Sequence, residues 1–190
     1  VSEGPTGSES SRLIIIRGNS GSGKSLLAHA IRDARPRGVA IVGHDVLRRE
    51  TLNVRDHPGA LSVPYIDLSA RFALDHGLHV VIEGILHSEG YGDMLSRLCS
   101  DHRGVSRAYY YELGLDETLR RHRTKQLAAE VSEDQVASWY RRSDLVPQLD
   151  ESVFDADIDE QAALEHVLQD VGWSTPGDGS GADDVGPERS

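Results

Sequence analysis

Short apolar runs alternate with stretches of helical period along most of this chain. Leu13 to Ile16 is unbroken and bulky, as a strand buried on both faces requires, and it runs directly into glycines. Leu26, Leu27, Ala30 and Ile31 restore helical spacing, which Pro36 and Gly38 end before a second strand-like run at Val39 to Val42. Ile66, Ala70, Ala73 and Leu74 predict a helix closed by Gly77, and His79 to Ile82 predicts a third strand. Tyr91, Met94, Leu95, Leu98 and Cys99 repeat at i, i+3, i+4, i+7 and i+8, so they mark the core face of an amphipathic helix. Ala108 to Leu113 predicts a fourth strand and Ser152 to Phe154 a fifth. A charged helix begins at Leu115, and a last one carries Leu164, Val167, Leu168 and Val171.

Strands separated by helices predict an α/β domain, a three-layer sandwich around a five-stranded parallel sheet. Residues 1–11 and 174–190 are rich in Gly, Ser, Pro and acid, and this composition predicts disordered tails around one domain at 12–173. Residues 124–150 have weak patterning and clustered charge, which predicts a lid.

Composition narrows the partners. Among 190 residues, 31 acidic groups face 20 Lys and Arg for a formal charge of −11, so no broad positive field exists to hold an extended nucleic acid. A single cysteine, Cys99, excludes an intrachain disulfide framework and a multi-cysteine zinc site, and points to the cytoplasm. No apolar run approaches the ~20 residues that span a bilayer, and the polar, acidic start of the chain does not resemble a secretory signal, so no membrane association is expected. Only Lys24 and Lys125 stand beside eighteen arginines, which draws attention to both.

Lys24 closes the one specific motif. Gly18-Asn19-Ser20-Gly21-Ser22-Gly23-Lys24-Ser25 fits G-x-x-x-x-G-K-[ST] and lies between a predicted strand and a predicted helix. Glycines at these positions let the backbone curl so that several N–H groups face phosphate oxygens, at the positive end of a helix. Lys24 would bridge terminal phosphates, and the Ser25 hydroxyl would ligate Mg²⁺ beside ATP. A ligand-free Gly/Ser turn would not need three glycines, a lysine and a hydroxyl in this register.

The next two strand ends carry acids. Asp45 follows strand two, where a carboxylate can orient an acceptor hydroxyl and take its proton; it can equally cap the helix that starts at Val46. Glu83 ends strand three as a candidate for the metal shell or for orienting substrate, against the plainer reading of a solvated strand-end carboxylate. Arg120, Arg123 and Arg141 are candidates for stabilising charge on a transferring phosphoryl group, or else belong to a solvated basic face balanced by Asp116 and Glu117. Trp139 and Tyr140 could cover a base or sugar ring or anchor a helix to the core. The nine histidines form no metal-ligand spacing, and His44 beside Asp45 is the one that merits a test.

LIIIR followed by GNSGSGKS, the strand-ending HD, VVIEG, and YYYEL followed by DETLRRH together resemble the small P-loop kinases related to zeta toxins, chloramphenicol phosphotransferase and the kinase domain of polynucleotide kinase. The resemblance spans roughly Arg12 to Trp173. It implies a five-stranded parallel sheet, ATP with Mg²⁺, an acceptor-side acid at Asp45 and lid arginines near Arg120 and Arg123. It leaves the acceptor open, because the group phosphorylates nucleic-acid ends, sugar nucleotides, antibiotics and other hydroxyl compounds. A kinase of a small-molecule hydroxyl is the leading expectation. A zeta-toxin-like or nucleic-acid-end kinase and a regulatory NTPase are the alternatives. A switch would be expected to carry a base-reading N-K-x-D, which the sequence lacks.

Overall fold

The computed structural model describes residues 4–35, 37–123 and 132–173, without the side chain of His122. Five strands form one sheet in the order β2-β3-β1-β4-β5, and every pair is parallel. They are β1 (Arg12–Gly18), β2 (Val39–Gly43), β3 (His79–Gly84), β4 (Val105–Tyr111) and β5 (Ser152–Phe154). Helices α1 (Lys24–Ala34), α2 (Ser62–Asp75), α3 (Ser88–Asp101), α4 (Leu115–Arg123), α5 (Glu133–Trp139) and α6 (Glu160–Asp170) flank or edge it.

β1 lies at the centre because it is apolar on both faces. Side chains alternate across a strand, so Leu13 and Ile15 join Val80, Ile82, Ile66, Leu95 and Leu98 on the α2/α3 side. Ile14 and Ile16 join Val81, Tyr109, Leu27, Ile31 and Val167 on the α1/α6 side. All four β1 residues are fully buried, and truncating any one to Ala removes packing worth about 2–5 kcal/mol. In such a sheet the strand ends facing the ligand crevice are the carboxyl ends. Those of β1, β2 and β3 carry the glycine motif, His44-Asp45 and Glu83-Gly84 as direct neighbours, with Arg17 in register with Gly84 and Gly43 with Glu83.

Two expectations need correction. β4 begins three residues earlier than its apolar run suggests, because Val105, Ser106 and Arg107 pair with Arg12, Leu13 and Ile14 at the less buried end of the sheet; it also stops at Tyr111 instead of Leu113. Residues 4–11 are packed, although their composition reads as a tail. Thr6 bridges His102 and its hydroxyl donates to Asp75 at 2.8 Å, while Arg71 donates to the Gly4 carbonyl at 2.9 Å. Polar contacts hold this segment, so hydrophobic patterning could not reveal it. Of the segment expected to be a lid, 124–131 lie outside the described residues. The part from 132 holds α5, started by a Ser132–Gln135 capping box, and a 3₁₀ turn at Pro147–Leu149. The expected tail at 174–190 also lies outside the described residues.

Candidate active site

The motif Gly18–Ser25 wraps the turn from β1 into α1. Gly18, Gly21 and Gly23 have φ of +136°, +78° and +103°, a region that L side chains avoid. Gly18 is doubly constrained, since a Cβ there would sit 2.6 Å from the Tyr111 carbonyl oxygen. At Gly23 a Cβ would meet nothing within 4 Å, because the position faces open space beside the loop. Lys24 folds back over the loop, its Nζ donating to the Asn19 carbonyl at 2.7 Å and to Ser22 Oγ at 3.1 Å. Ser25 Oγ donates to Glu83 Oε2 at 3.0 Å, so the two residues picked for the metal stand side by side. A cavity of about 380 Å³ opens above the loop, lined by Ser20 to Leu26, Asp45, Arg49, Glu83, Gly84, Ile85 and Trp139.

These residues fit a nucleoside triphosphate with Mg²⁺. The loop is a backbone cradle with glycine where it is open, one ammonium lies at its edge, and a hydroxyl stands next to a carboxylate. Among the described residues no cluster of three His, Cys, Asp or Glu could hold a metal alone. That donor set suits Mg²⁺, which keeps several waters and takes one or two protein ligands beside phosphate oxygens.

Asp45 lies past the end of β2, and its side chain makes no capping hydrogen bond to the π-helical turn Val46–Thr51. Its carboxylate instead accepts from Arg48 at 3.0 Å and lies 3.4 Å from Arg49 Nε, while remaining 59% exposed. A second cavity of about 490 Å³ lies on its far side and shares Asp45, Arg49, Ile85 and Trp139 with the first. Arg48, Arg55, Asp56, Tyr91, Arg141 and Asp144 also line it. Trp139 therefore stands at the junction, whereas its neighbour Tyr140 is an anchor whose hydroxyl donates to the Leu113 carbonyl at 3.1 Å.

The candidate arginines separate. Arg141 lines the second cavity, and its backbone is tied to the glycine loop: Asn19 Nδ2 donates to its carbonyl at 2.7 Å, and its N–H donates to Asn19 Oδ1 at 3.0 Å. Arg120 and Arg123 line neither cavity. They are 66% and 61% exposed and pair with Glu117 and Glu133 at 2.7 Å.

Sequence reasoning missed two polar networks that hold the second cavity. His44 is buried, and its Nε2 lies 2.9 Å from the Tyr91 hydroxyl, which donates to Asp56 at 2.6 Å and contacts Ser62 Oγ at 2.9 Å. Burial raises the Asp56 carboxyl, but the hydrogen bonds from His44 and Tyr91 and the charges of His44 and Arg48 outweigh it and bring it down to about 2. Gly84 makes room for this, since a Cβ there would lie 2.5 Å from His44 Cβ. In the second network the buried Arg17 guanidinium pairs with Glu151 at 2.8 Å and Asp144 at 3.1 Å and donates to the Leu86 carbonyl at 2.9 Å. Asp144 also accepts from the Ser88 hydroxyl and N–H at 2.5 and 2.8 Å. Its carboxyl falls to about 2, because bonds from His87 and Ser88 and the charge of Arg17 outweigh burial. A charged residue between the apolar run of β1 and the glycine loop was the available signal for Arg17.

No protein-family model and no curated protein sequence matches the chain. Solved structures do. The APS kinase of Mycobacterium tuberculosis, solved with AMPPNP and APS, superposes with a TM-score of 0.66 at 18% identity over 88% of this chain and 99% of that one. The tunicamycin resistance protein of Deinococcus radiodurans gives 0.58 at 21% identity over 87% and 98%. A gluconokinase from Sinorhizobium meliloti gives 0.56 at 15% over 90% and 94%. With the five-stranded all-parallel sheet and the glycine loop at the end of β1, the chain has the fold of the small P-loop kinases.

Proposed function

We propose that this protein is a kinase that moves the γ-phosphoryl group of ATP to a hydroxyl of a small-molecule acceptor. The observation that carries this reading is the pair of cavities meeting at Asp45, Arg49, Ile85 and Trp139, one built on the phosphate cradle and the other outside it. A regulatory NTPase has no need of a second cavity opening onto the phosphate end of the first. ATP with Mg²⁺ supplies the transferable phosphoryl group and offsets the charge that develops on it.

The protein's own groups do the rest. Lys24 exchanges its loop partners for phosphate oxygens, and the N–H groups of Gly21 to Ser25 hold the β- and γ-phosphates. Ser25 would be the protein's hydroxyl ligand to Mg²⁺, oriented by the hydrogen bond it donates to Glu83. Asp45 receives the acceptor hydroxyl at the junction, turns its oxygen toward the γ-phosphorus and takes its proton as the bond forms. Arg49, which lines both cavities, would neutralise the equatorial oxygens. Trp139 excludes water from the junction. Arg120 and Arg123 remain candidates for a closed state in which their carboxylate partners are exchanged for phosphate.

The test is transfer of labelled γ-phosphate to a panel of hydroxyl compounds, with AMPPNP binding measured in parallel. Labelled product from one acceptor supports the reading. AMPPNP binding with hydrolysis to free phosphate alone, whatever the acceptor, would support an NTPase instead.

A further inference from the structure

The second cavity is unusually rich in guanidinium groups. Arg48, Arg49, Arg55 and Arg141 all line it. Its four carboxylates do not neutralise them evenly. Asp56 is hydrogen-bonded by Tyr91 and lies beside His44, with only a through-space effect from Arg48, and Asp144 is committed to Arg17 and Ser88. Asp45 alone is shared by Arg48 and Arg49, and Glu89 lies in the exposed first turn of α3. Arg55 is exposed and has no hydrogen-bond or ion-pair partner among the described residues. Among the described residues the Arg141 guanidinium donates only to the carbonyls of Ser138 and Tyr140, at 3.3 and 3.1 Å. Arg48 is mostly buried; one terminal nitrogen donates to the Val54 carbonyl at 3.3 Å, and its Nε is a buried donor with no acceptor among the described residues. A buried charged donor without a partner is costly, and a planar guanidinium fork matches an oxyanion in two-point fashion.

Resting on the kinase reading, we infer that the acceptor is itself an anion: a hydroxyl compound of sugar or nucleoside size that carries an oxyanion group, held by Arg48, Arg55 and Arg141. The size follows from the cavity of about 490 Å³, and Trp139, Tyr91 and Pro58 supply flat or apolar surface for a ring. The arrangement also gives the anion a second task. Arg48 and Arg49 hold the Asp45 carboxylate. An oxyanion competes for Arg48 and releases Asp45 for the hydroxyl, so a neutral analogue would leave the base engaged even where it fits.

The experiment loads the protein with magnesium AMPPNP, so that the phosphate cradle is filled. It then titrates glucose, gluconate and glucose 6-phosphate by calorimetry, using wild type, Arg55→Gln and Arg48→Gln. The inference expects saturable binding of at least one anionic sugar about tenfold or more tighter than glucose, and a loss of about tenfold on removing either guanidinium. Preference for gluconate identifies a carboxylate, and preference for glucose 6-phosphate a phosphate. Equal binding of glucose and both anions, binding of no anionic sugar, or anion binding unchanged in both variants would overturn it. Failure of AMPPNP to bind would count against the kinase reading instead. The same sugars titrated into the nucleotide-free protein would then decide the inference by the same criteria.

Discussion

Replacing Asp45 by Asn removes a charge at the junction of the two cavities while keeping the size of the side chain. Its consequences for stability and for chemistry differ in magnitude. The ion pairs to Arg48 and Arg49 involve a carboxylate that is 59% exposed, so their loss costs at most about 1 kcal/mol. For a chain of 190 residues that corresponds to about 2–4 °C in Tm. The side chain caps nothing, so no helix terminus is weakened. The amide cannot take a proton, and losing a general base lowers turnover by about 10²–10⁴-fold, or about 3–5 kcal/mol on the barrier. Nucleotide affinity should stay within about threefold, because the proposed phosphate contacts are with the loop and Lys24 and not with Asp45. Thermal unfolding, AMPPNP binding and steady-state phosphoryl transfer separate these effects. An Asn variant that turns over within about threefold of wild type would remove the base from the mechanism. A Tm loss far above 4 °C would show that Asp45 is structural.

Three further outcomes follow from the geometry. Gly18→Ala should lower Tm by about 6–12 °C, since the new Cβ lies 2.6 Å from the Tyr111 carbonyl at a φ of +136°, a strain on the order of 3 kcal/mol; a wild-type melting curve would show that the loop relaxes freely. Asn19→Ala deletes both hydrogen bonds to the Arg141 backbone, a loss of about 2 kcal/mol, and should raise the KM for acceptor more than that for ATP; equal effects would mean that Asn19 acts only on the loop. Burial, aided by the charges of Arg12 and His79, depresses the buried His102 from 6.5 to about 4, so between those values the unfolded chain binds a proton that the folded chain refuses. Urea-measured stability should therefore fall by up to about 3 kcal/mol as pH drops from 6.5 to 4, and His102→Gln should flatten that slope; parallel slopes would refute the assignment.

What could be read from the sequence was whatever depends on local pattern. The buried run of β1, the glycine loop and the helix stripe of Tyr91 to Cys99 each state their structure in consecutive or regularly spaced residues. β5 was legible to the residue even at its length of three. What escaped depends on partners distant in the chain. Residues 4–11 are held by Asp75, Asp101 and Arg71, and the floor of the second cavity by His44, Asp56, Ser62 and Tyr91, so no local period marks either. Of the two readings of Asp45, geometry bears on the cap: the position starts a helical turn, as its residue type suggests, but the side chain turns to arginines three and four residues on. For Arg120 the alternative of a basic face balanced by Glu117 was legible, because that acid lies one helical turn away; the pairing of Arg123 was not, because Glu133 begins the next helix.

The central claim is that the loop at the end of β1 holds a nucleotide whose γ-phosphoryl group is transferred. Single-turnover transfer of labelled γ-phosphate by wild type and Lys24→Ala, at equal occupancy by nucleotide, tests it most directly. Lys24 is 7% exposed and its ammonium donates to the loop's own Asn19 carbonyl and Ser22 hydroxyl, so thermal unfolding is measured alongside to establish that the variant is folded. Transfer by the variant should be slower by about 3 kcal/mol of barrier, roughly a hundredfold. A folded, nucleotide-saturated Lys24→Ala protein that transfers phosphate at the wild-type rate would contradict it.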